Sequence, residues 1–282
     1  MTASLRPRVM GIVNVTPDSF SDGGRFLDPR QGVEHARRLI AQGADILDIG
    51  GESTRPGAAP VSAEDEAARV LPLIEAIRAV SDIPISIDTM KPAVARAAVA
   101  AGATIWNDVA ALRFSPEAPE VAAGLGCEVV LMHMLGRPGT MQDEPRYDDV
   151  AAEVEAFLLA RAAAAMAAGV AREKIWLDPG IGFGKTLAHN LALLAALPRF
   201  VALGYPILLG ASRKRFIAGV DPSADQATDR LGGSLAAHLA GAAAGVAAVR
   251  VHDARETVQA LDVWAAIQAA AGTTVSDAAI PA

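Results

Sequence analysis

The sequence predicts an α/β protein, a parallel (β/α)8 barrel of the TIM type formed as one domain over residues 1–282. Three observations predict it. Short Val- and Ile-rich runs alternate with longer Ala-rich segments of helical period, about eight times along the chain. The short runs are continuously apolar rather than alternating, as strands covered on both faces are. Polar residues collect at one end of each run, where a parallel barrel keeps its working face. A doubly wound open sheet is the alternative architecture.

The elements follow in order. Run 9–13 ends in Asn14, and run 46–49 leads to Glu52, Thr54 and Arg55. Run 85–87 ends in Asp88, and run 105–106 in Asn107. Run 129–132 precedes His133, and run 175–177 ends in Asp178 at the head of a glycine-rich turn. Run 207–209 leads to Arg213 and Lys214, and Val249 and Val251 alternate with Arg250 and His252. Helices are expected over 29–42, 63–80, 92–101, 116–125, 150–168, 187–197, 229–243 and 254–270. Pro29, Pro92 and Pro116 stand where a first turn tolerates proline. Gly43, Gly102, Gly126 and Gly169 stand where helices stop. Two polar stretches, 15–27 and 50–62, are long for barrel loops and read as mobile lids on the working face. The tail 273–282 reads as frayed.

Composition excludes several function classes. Hydrophobic residues make up 52% but aromatic residues only 4%, so the core is built of Ala, Val, Leu and Ile. A net charge of −7 with no long basic run argues against a nucleic-acid surface. No apolar core follows the charged N-terminus as in a signal peptide, and the apolar stretch 234–249 is shorter than a membrane span. The single Cys127 forms no disulfide within the chain; a buried thiol and a cytoplasmic protein are expected.

Some motifs mislead. Gly184-Lys185-Thr186 imitates the end of a phosphate loop, but the first glycine of that pattern would fall on Pro179. Gly180, Gly182 and Gly184 lack dinucleotide spacing. The five histidines make no zinc pattern, and no nucleophile elbow surrounds Ser212. His133 reads as a core group or one behind the site, and His238 as packing or interface.

The segments MGIVNVTPDSFSDGG (10–24), GADILDIGGESTRPG (43–57), ISIDTMK (85–91), 107–109, LMHM (131–134), LDPGIGFGK (177–185), GASRKRFI (210–217) and VRVHD (249–253) together resemble the dihydropteroate synthase family of folate enzymes. The resemblance runs through nearly the whole chain and implies a (β/α)8 barrel. It also implies a reaction: dihydropterin pyrophosphate joins para-aminobenzoate, pyrophosphate leaves first, and a delocalised cation remains. Catalytic roles would then fall to Asp88, Lys214, Arg250, Asp18 and Arg55. Asp88, Asn107, Asp178 and Lys214 would hold the pterin. Arg250 and His252 would seat the pyrophosphate, with Mg²⁺ on Asn14 and phosphate oxygens. Thr54, Arg55, Pro56, Phe20, Phe183, Lys214 and Ser212 would form the arylamine slot that sulfonamides occupy in the family. Family members are commonly homodimers, and the small-residue helices 229–243 and 254–270 would suit such an interface.

Plainer roles compete. Asp88 could cap the helix after Lys91, Asp178 could cap a turn, and Arg250 could pair with Asp253 or Glu256. Asp18 and Arg55 either meet across the two loops or are solvated charges. A pterin-dependent methyltransferase would use the Asp and Asn contacts but leave Arg250, His252 and Lys214 without a task. A non-catalytic pterin-binding protein should have lost one or more of these residues.

Overall fold

The computed structural model describes residues 6–15, 29–53, 60–136, 141 and 144–272. Within them lie eight parallel strands: β1 (Arg8–Asn14), β2 (Ile46–Gly50), β3 (Ile85–Asp88), β4 (Ile105–Asp108), β5 (Glu128–Met132), β6 (Ile175–Asp178), β7 (Leu208–Leu209) and β8 (Ala248–Val251). They pair in the order β6-β5-β4-β3-β2-β1-β8-β7. A parallel bridge between Leu177 and Ile207 joins β6 to β7, and the Leu177 N–H donates to the Pro206 carbonyl at 2.9 Å. The sheet therefore closes on itself, as the barrel reading requires and the open-sheet reading does not.

Side chains on a strand alternate between faces, and the register carries that alternation around the barrel. Met10 pairs with Ile46, Asp48 with Ser86, Ser86 with Ile105, Val130 with Trp176, and Leu208 with Ala248. Met10, Ile46, Ile105, Val130, Trp176, Leu208 and Ala248 form one buried cluster inside the barrel. Two residues further along the same strands come Asp48, Asn107, Asp178 and Arg250, with Asp88 two beyond Ser86. An apolar tier thus lies beneath a polar one. At the base, the Trp176 ring takes the Arg8 guanidinium 4.5 Å from its centroid and donates its indole N–H to Glu128 at 2.5 Å.

The opposite faces of the strands, with Val9, Val13, Leu47, Ile49, Ile87, Trp106, Val129 and Val249 among them, pack against the surrounding helices. These are α1 (Pro29–Ala41), α2 (Ala63–Arg78), α3 (Pro92–Ala100), α4 (Ala118–Leu125), α5 (Val150–Ala167), α6 (Leu187–Ala195), α7 (Leu197–Val201), α8 (Phe216–Val220), α9 (Leu231–Ala244) and α10 (Ala254–Gly272). Local chemistry sets their starts. Ser62 caps α2, Asp149 caps α5 by accepting two N–H groups, and Thr186 with His189 makes a capping box on α6. The four glycines expected to end helices all adopt positive φ.

Three expectations shift. Pro116 does not open α4: the helix begins at Ala118 and takes Pro119 into its first turn, leaving Pro116 in the preceding turn. A proline lacks the N–H that a later position needs, so Pro119 sets the boundary. The helix expected over 187–197 divides after Ala195, because Pro198 starts a new short helix, α7. Residues Ala227–Arg230 form a 3-10 turn, so α9 starts at Leu231 rather than at residue 229. Most of the two long loops, and the tail 273–282, lie outside the described residues.

Trp176→Ala should empty the base of the barrel and strip Glu128 of its donor. A loss of about 3–5 kcal/mol is expected for so large a buried truncation. Urea unfolding measures it, and a loss under about 1 kcal/mol would contradict the plug.

Candidate active site

The strand ends carry their polar residues into one pocket. It is lined by Ile12, Asp88, Asn107, Val109, Met132, Asp178, Gly180, Ile181, Phe183, Gly210, Ser212, Lys214, Arg250 and His252. Its void, counted out into open solvent, is ≈ 470 Å³. A larger hollow between α1 and α10 lies among Arg38, Gln42, Arg255 and Asp262 and touches none of these residues.

Arg250 reaches from β8 to two carboxylates. Its Nε donates to Asp48 at 2.5 Å and an NH2 group donates to Asp88 Oδ2 at 2.8 Å. The Asn107 amide leans on Asp48 at 3.3 Å. One cation shared between two buried acids cannot satisfy both. Burial, reinforced by Asp48, pushes the Asp88 carboxyl up to about 7 despite Arg250. Burial tends to strip Arg250 of its proton, but Asp48 and Asp88 outweigh it and hold the guanidinium above its ordinary range. Asp88 Oδ1 is buried and has no partner among the described residues.

Asp178 gives one oxygen to the Gly180 N–H at 2.7 Å, so the expected turn cap is real. It lines the pocket as well, so cap and site are one residue. Burial pushes it up to about 6, against the pull of the Gly180 N–H and Lys214. The turn it opens is pressed against β5. A Cβ on Gly180, whose φ is +70°, would stand 1.9 Å from the His133 carbonyl oxygen. Gly182 leaves room for Lys214, whose ammonium lies 4.0 Å from the centroid of the Phe183 ring. Burial, aided by Arg250, pushes Lys214 down to about 8.

The segment after β7 is held under strain. Arg213 is not glycine yet has φ 57°, a conformation costing about 1–3 kcal/mol. Four contacts offset it. Ser234 Oγ accepts its N–H, Arg230 donates to its carbonyl at 3.0 Å, and two guanidinium nitrogens grip Asp253. Ser212 and Lys214 flank this turn and face the pocket. Ser212 Oγ accepts the His252 N–H at 3.1 Å, and its hydroxyl hydrogen is left for His252 Nδ1 at 3.1 Å. When Ser212 donates to Nδ1, the imidazole proton sits on Nε2. Burial, with Arg250 and Arg213, pushes His252 down to about 3, so it works as a neutral donor.

Asp88, Asn107, Asp178, Phe183, Ser212, Lys214, Arg250 and His252 therefore meet as expected. Asn14 ends β1, half-buried and in register with Gly50, and does not line this pocket. Asp18, Phe20, Thr54, Arg55 and Pro56 lie outside the described residues. Two plainer readings fail: Lys91, not Asp88, is the N-cap position of α3, and Asp253 pairs with Arg213 while Arg250 pairs across the barrel. His133 and His238 are buried, the latter against Thr257 at 3.4 Å. Asp48 was missed, although the spacing that turns Ile46 inward turns Asp48 inward too. Lys91 was also missed. It holds Glu52 at 2.7 Å and Glu66 at 2.6 Å, and Glu52 takes the Val61 N–H, so both ends of the β2–α2 connection are tied.

Fold and pocket together define a parallel barrel with one polar pocket at the C-terminal ends of its strands. A family model described as pterin binding enzyme matches residues 10–252. Dihydropteroate synthase of Escherichia coli K12 is 50% identical over 260 residues, 91% of this chain and 90% of that one. The Xanthomonas albilineans dihydropteroate synthase solved with 4-aminobenzoic acid is 54% identical, with 94% of each chain covered and a TM-score of 0.88. The Yersinia pestis enzyme in a sulfonamide drug complex is 44% identical, covering 95% of this chain and 97% of that one, with a TM-score of 0.89. The chain belongs to the pterin binding enzymes, in their dihydropteroate synthase family.

Two glycines separate scaffold from site. Gly180→Ala has no room and should cost at least about 3 kcal/mol of stability. A Cβ at Gly182 would first meet the flexible Lys214 chain, at 3.1 Å. Gly182→Ala should cost about 1–2 kcal/mol for its backbone while displacing Lys214 and lowering turnover. Thermal unfolding beside a steady-state assay distinguishes them; equal effects on stability would refute the assignment.

Proposed function

We propose that this protein condenses 6-hydroxymethyl-7,8-dihydropterin pyrophosphate with para-aminobenzoate, giving 7,8-dihydropteroate and pyrophosphate, as a transferase of folate biosynthesis. The observation that carries the proposal is the Asp88 carboxyl. It lines the pocket, is bound to Arg250 through one oxygen and keeps a buried Oδ1 without a hydrogen-bond partner among the described residues. A buried acceptor without a donor is costly unless a ligand supplies one. The amino and ring N–H groups of a pterin are such donors, and Asp178, Asn107 and Lys214 stand around the same space.

The reaction proceeds by an ionised, SN1-like path. The C–O bond to pyrophosphate breaks, and its electron pair leaves with the phosphate oxygen. The carbon left behind is cationic and delocalised into the pterin, beside Asp88 and Asp178. The arylamine nitrogen then bonds to that carbon and loses a proton. Two of the five N–H groups of Arg250 are spent on carboxylates, which leaves others for pyrophosphate. His252 adds its Nε2–H. Phe183, Ser212 and Lys214 line the arylamine slot, where sulfonamides would compete; the family resemblance adds Thr54, Arg55, Pro56 and Phe20, which lie outside the described residues.

Mg²⁺ belongs to the same proposal. Among the described residues no group of three or more His, Cys, Asp and Glu is built to cage a metal. One amide oxygen, Asn14 at the end of β1, suits an ion that takes most of its ligands from phosphates and water. Bound there, Mg²⁺ would supply Lewis-acid help to the leaving group. A cytoplasmic homodimer completes the reading. Cys127 is a buried thiol whose pKa burial raises, and no helix of the described residues is long and apolar enough to cross a membrane. Gly233 and Gly241 of α9 face Ile217 and Leu209, so those small residues serve packing within the chain. Exposed Val263 and Ile267, one turn apart on α10, support the dimer instead.

The deciding experiment incubates the protein with both substrates and Mg²⁺ and follows dihydropteroate by mass spectrometry. Product is expected, lost with EDTA and suppressed by a sulfonamide in competition with para-aminobenzoate. No product with intact pterin binding would overturn the reading. Arg250→Ala should lower kcat/KM by about 2–4 kcal/mol equivalent; an unchanged value would remove Arg250 from the leaving-group seat.

A further inference from the structure

The Gly184-Lys185-Thr186 sequence that imitates a phosphate loop has no part in the reaction proposed above. Yet Lys185 is only 4% exposed. Its ammonium lies 2.9 Å from His133 Nδ1, 2.9 Å from the Phe183 carbonyl oxygen and 3.4 Å from the His133 carbonyl oxygen. All three acceptors are neutral. A buried cation held by neutral groups alone is expensive to fold, and an apolar chain of similar length would cost less. Such a group beside a cleft is a functional-site candidate.

Its position says which. His133 sits at the end of β5, and its N–H donates to the Asp178 carbonyl at 3.0 Å. Lys185 closes the turn that Asp178 opens and Phe183 walls. It therefore ties the far end of that turn to His133, the residue after β5 whose N–H already holds the near end. Asn190 on α6 donates to the Lys185 carbonyl at 3.4 Å, and the Tyr147 hydroxyl donates to the Gly184 carbonyl at 2.9 Å. The charges that act on Lys185 are Asp178 and Lys214; those that act on Asp178 are Lys214, Lys185 and Arg250. His133 faces the ammonium as a neutral ring, backed by Phe157 and Tyr147.

We propose that Lys185 is a positioning residue of the pterin seat: it clamps the β6–α6 turn onto β5 and keeps the Asp178 carboxylate ionised to accept ligand N–H groups. This rests on the pterin reading above. The sign is fixed by electrostatics. Removing a nearby cation favours the neutral acid, so Asp178 should protonate at higher pH. Burial already pushes Asp178 up to about 6 and Lys185 down to about 7.

Full-length Lys185→Met, Lys185→Gln and the charge-preserving Lys185→Arg test this. The Asp178 carboxyl, labelled with carbon-13 and assigned by its loss in Asp178→Asn, is titrated without ligand. Affinity for dihydropterin pyrophosphate is measured by calorimetry from about pH 5 to about pH 8, above the ordinary carboxyl range and across the raised one of Asp178. The Met and Gln variants should titrate about one unit higher. They should bind the pterin about fivefold more weakly near the wild-type midpoint, with kcat changed less than the pterin KM. Lys185→Arg should keep the wild-type titration. A lowered melting temperature with unchanged titration and affinity would reduce Lys185 to a structural clamp and overturn the proposal. If Lys185→Met fails to fold, Lys185→Gln against Lys185→Arg decides alone. Wild-type protein that binds no pterin would refute the functional reading, while the ligand-free titration still tests this one.

Discussion

One guanidinium organises the interior of this barrel. Arg250 leaves β8, crosses above the apolar tier and binds acids on β2 and β3, two strands that it could not otherwise touch. A charged trio inside a protein is a poor source of stability, because desolvation opposes the attraction. Its value lies in arrangement. With two acids and one base, the balance is left unsettled on the acid side, and Asp88 keeps an oxygen without a partner among the described residues. The protein tolerates that imbalance because the apolar tier below and the helices outside carry the fold. The site is thus an incomplete network resting on a complete core.

Much of this was legible in the chain because strand period is rigid. Inward positions recur every second residue, so Asp88, Asn107 and Asp178 could be read as pocket residues from the apolar runs that precede them. Asp48 obeys the same period but was hidden by the polar Gly-Gly-Glu motif just after it. Partners were less legible than positions. Arg250 has acids three and six residues on, and sequence proximity favours them. The barrel instead delivers an acid 202 residues away and gives Asp253 to Arg213. Pro116 and Pro119 were equally good helix openers locally, and only packing chose between them. Lys185 read as a failed nucleotide motif because its role depends on β5, which the local sequence does not show.

The strained turn at Arg213 and the crowded one at Gly180 share a logic. Each is non-ideal backbone fixed by contacts from a neighbouring element: α9 and the segment after β8 in one case, β5 in the other. Ser212, Lys214, Phe183 and Asp178 inherit their placement from those contacts. A side chain in this site is therefore only as well placed as the elements beside it.

The closure between β6 and β7 gives the barrel a seam. β7 has two residues, and a single bridge completes the cylinder there, whereas other neighbouring strands share longer ladders. Amide hydrogens at that join should be the first in the barrel to exchange with solvent, because little pairing opposes a breathing motion. Asp178 stands on one lip of the seam and Ser212 and Lys214 beyond the other. A molecule held between them is a rivet across the weakest joint, so occupancy of the pocket and integrity of the cylinder become one equilibrium.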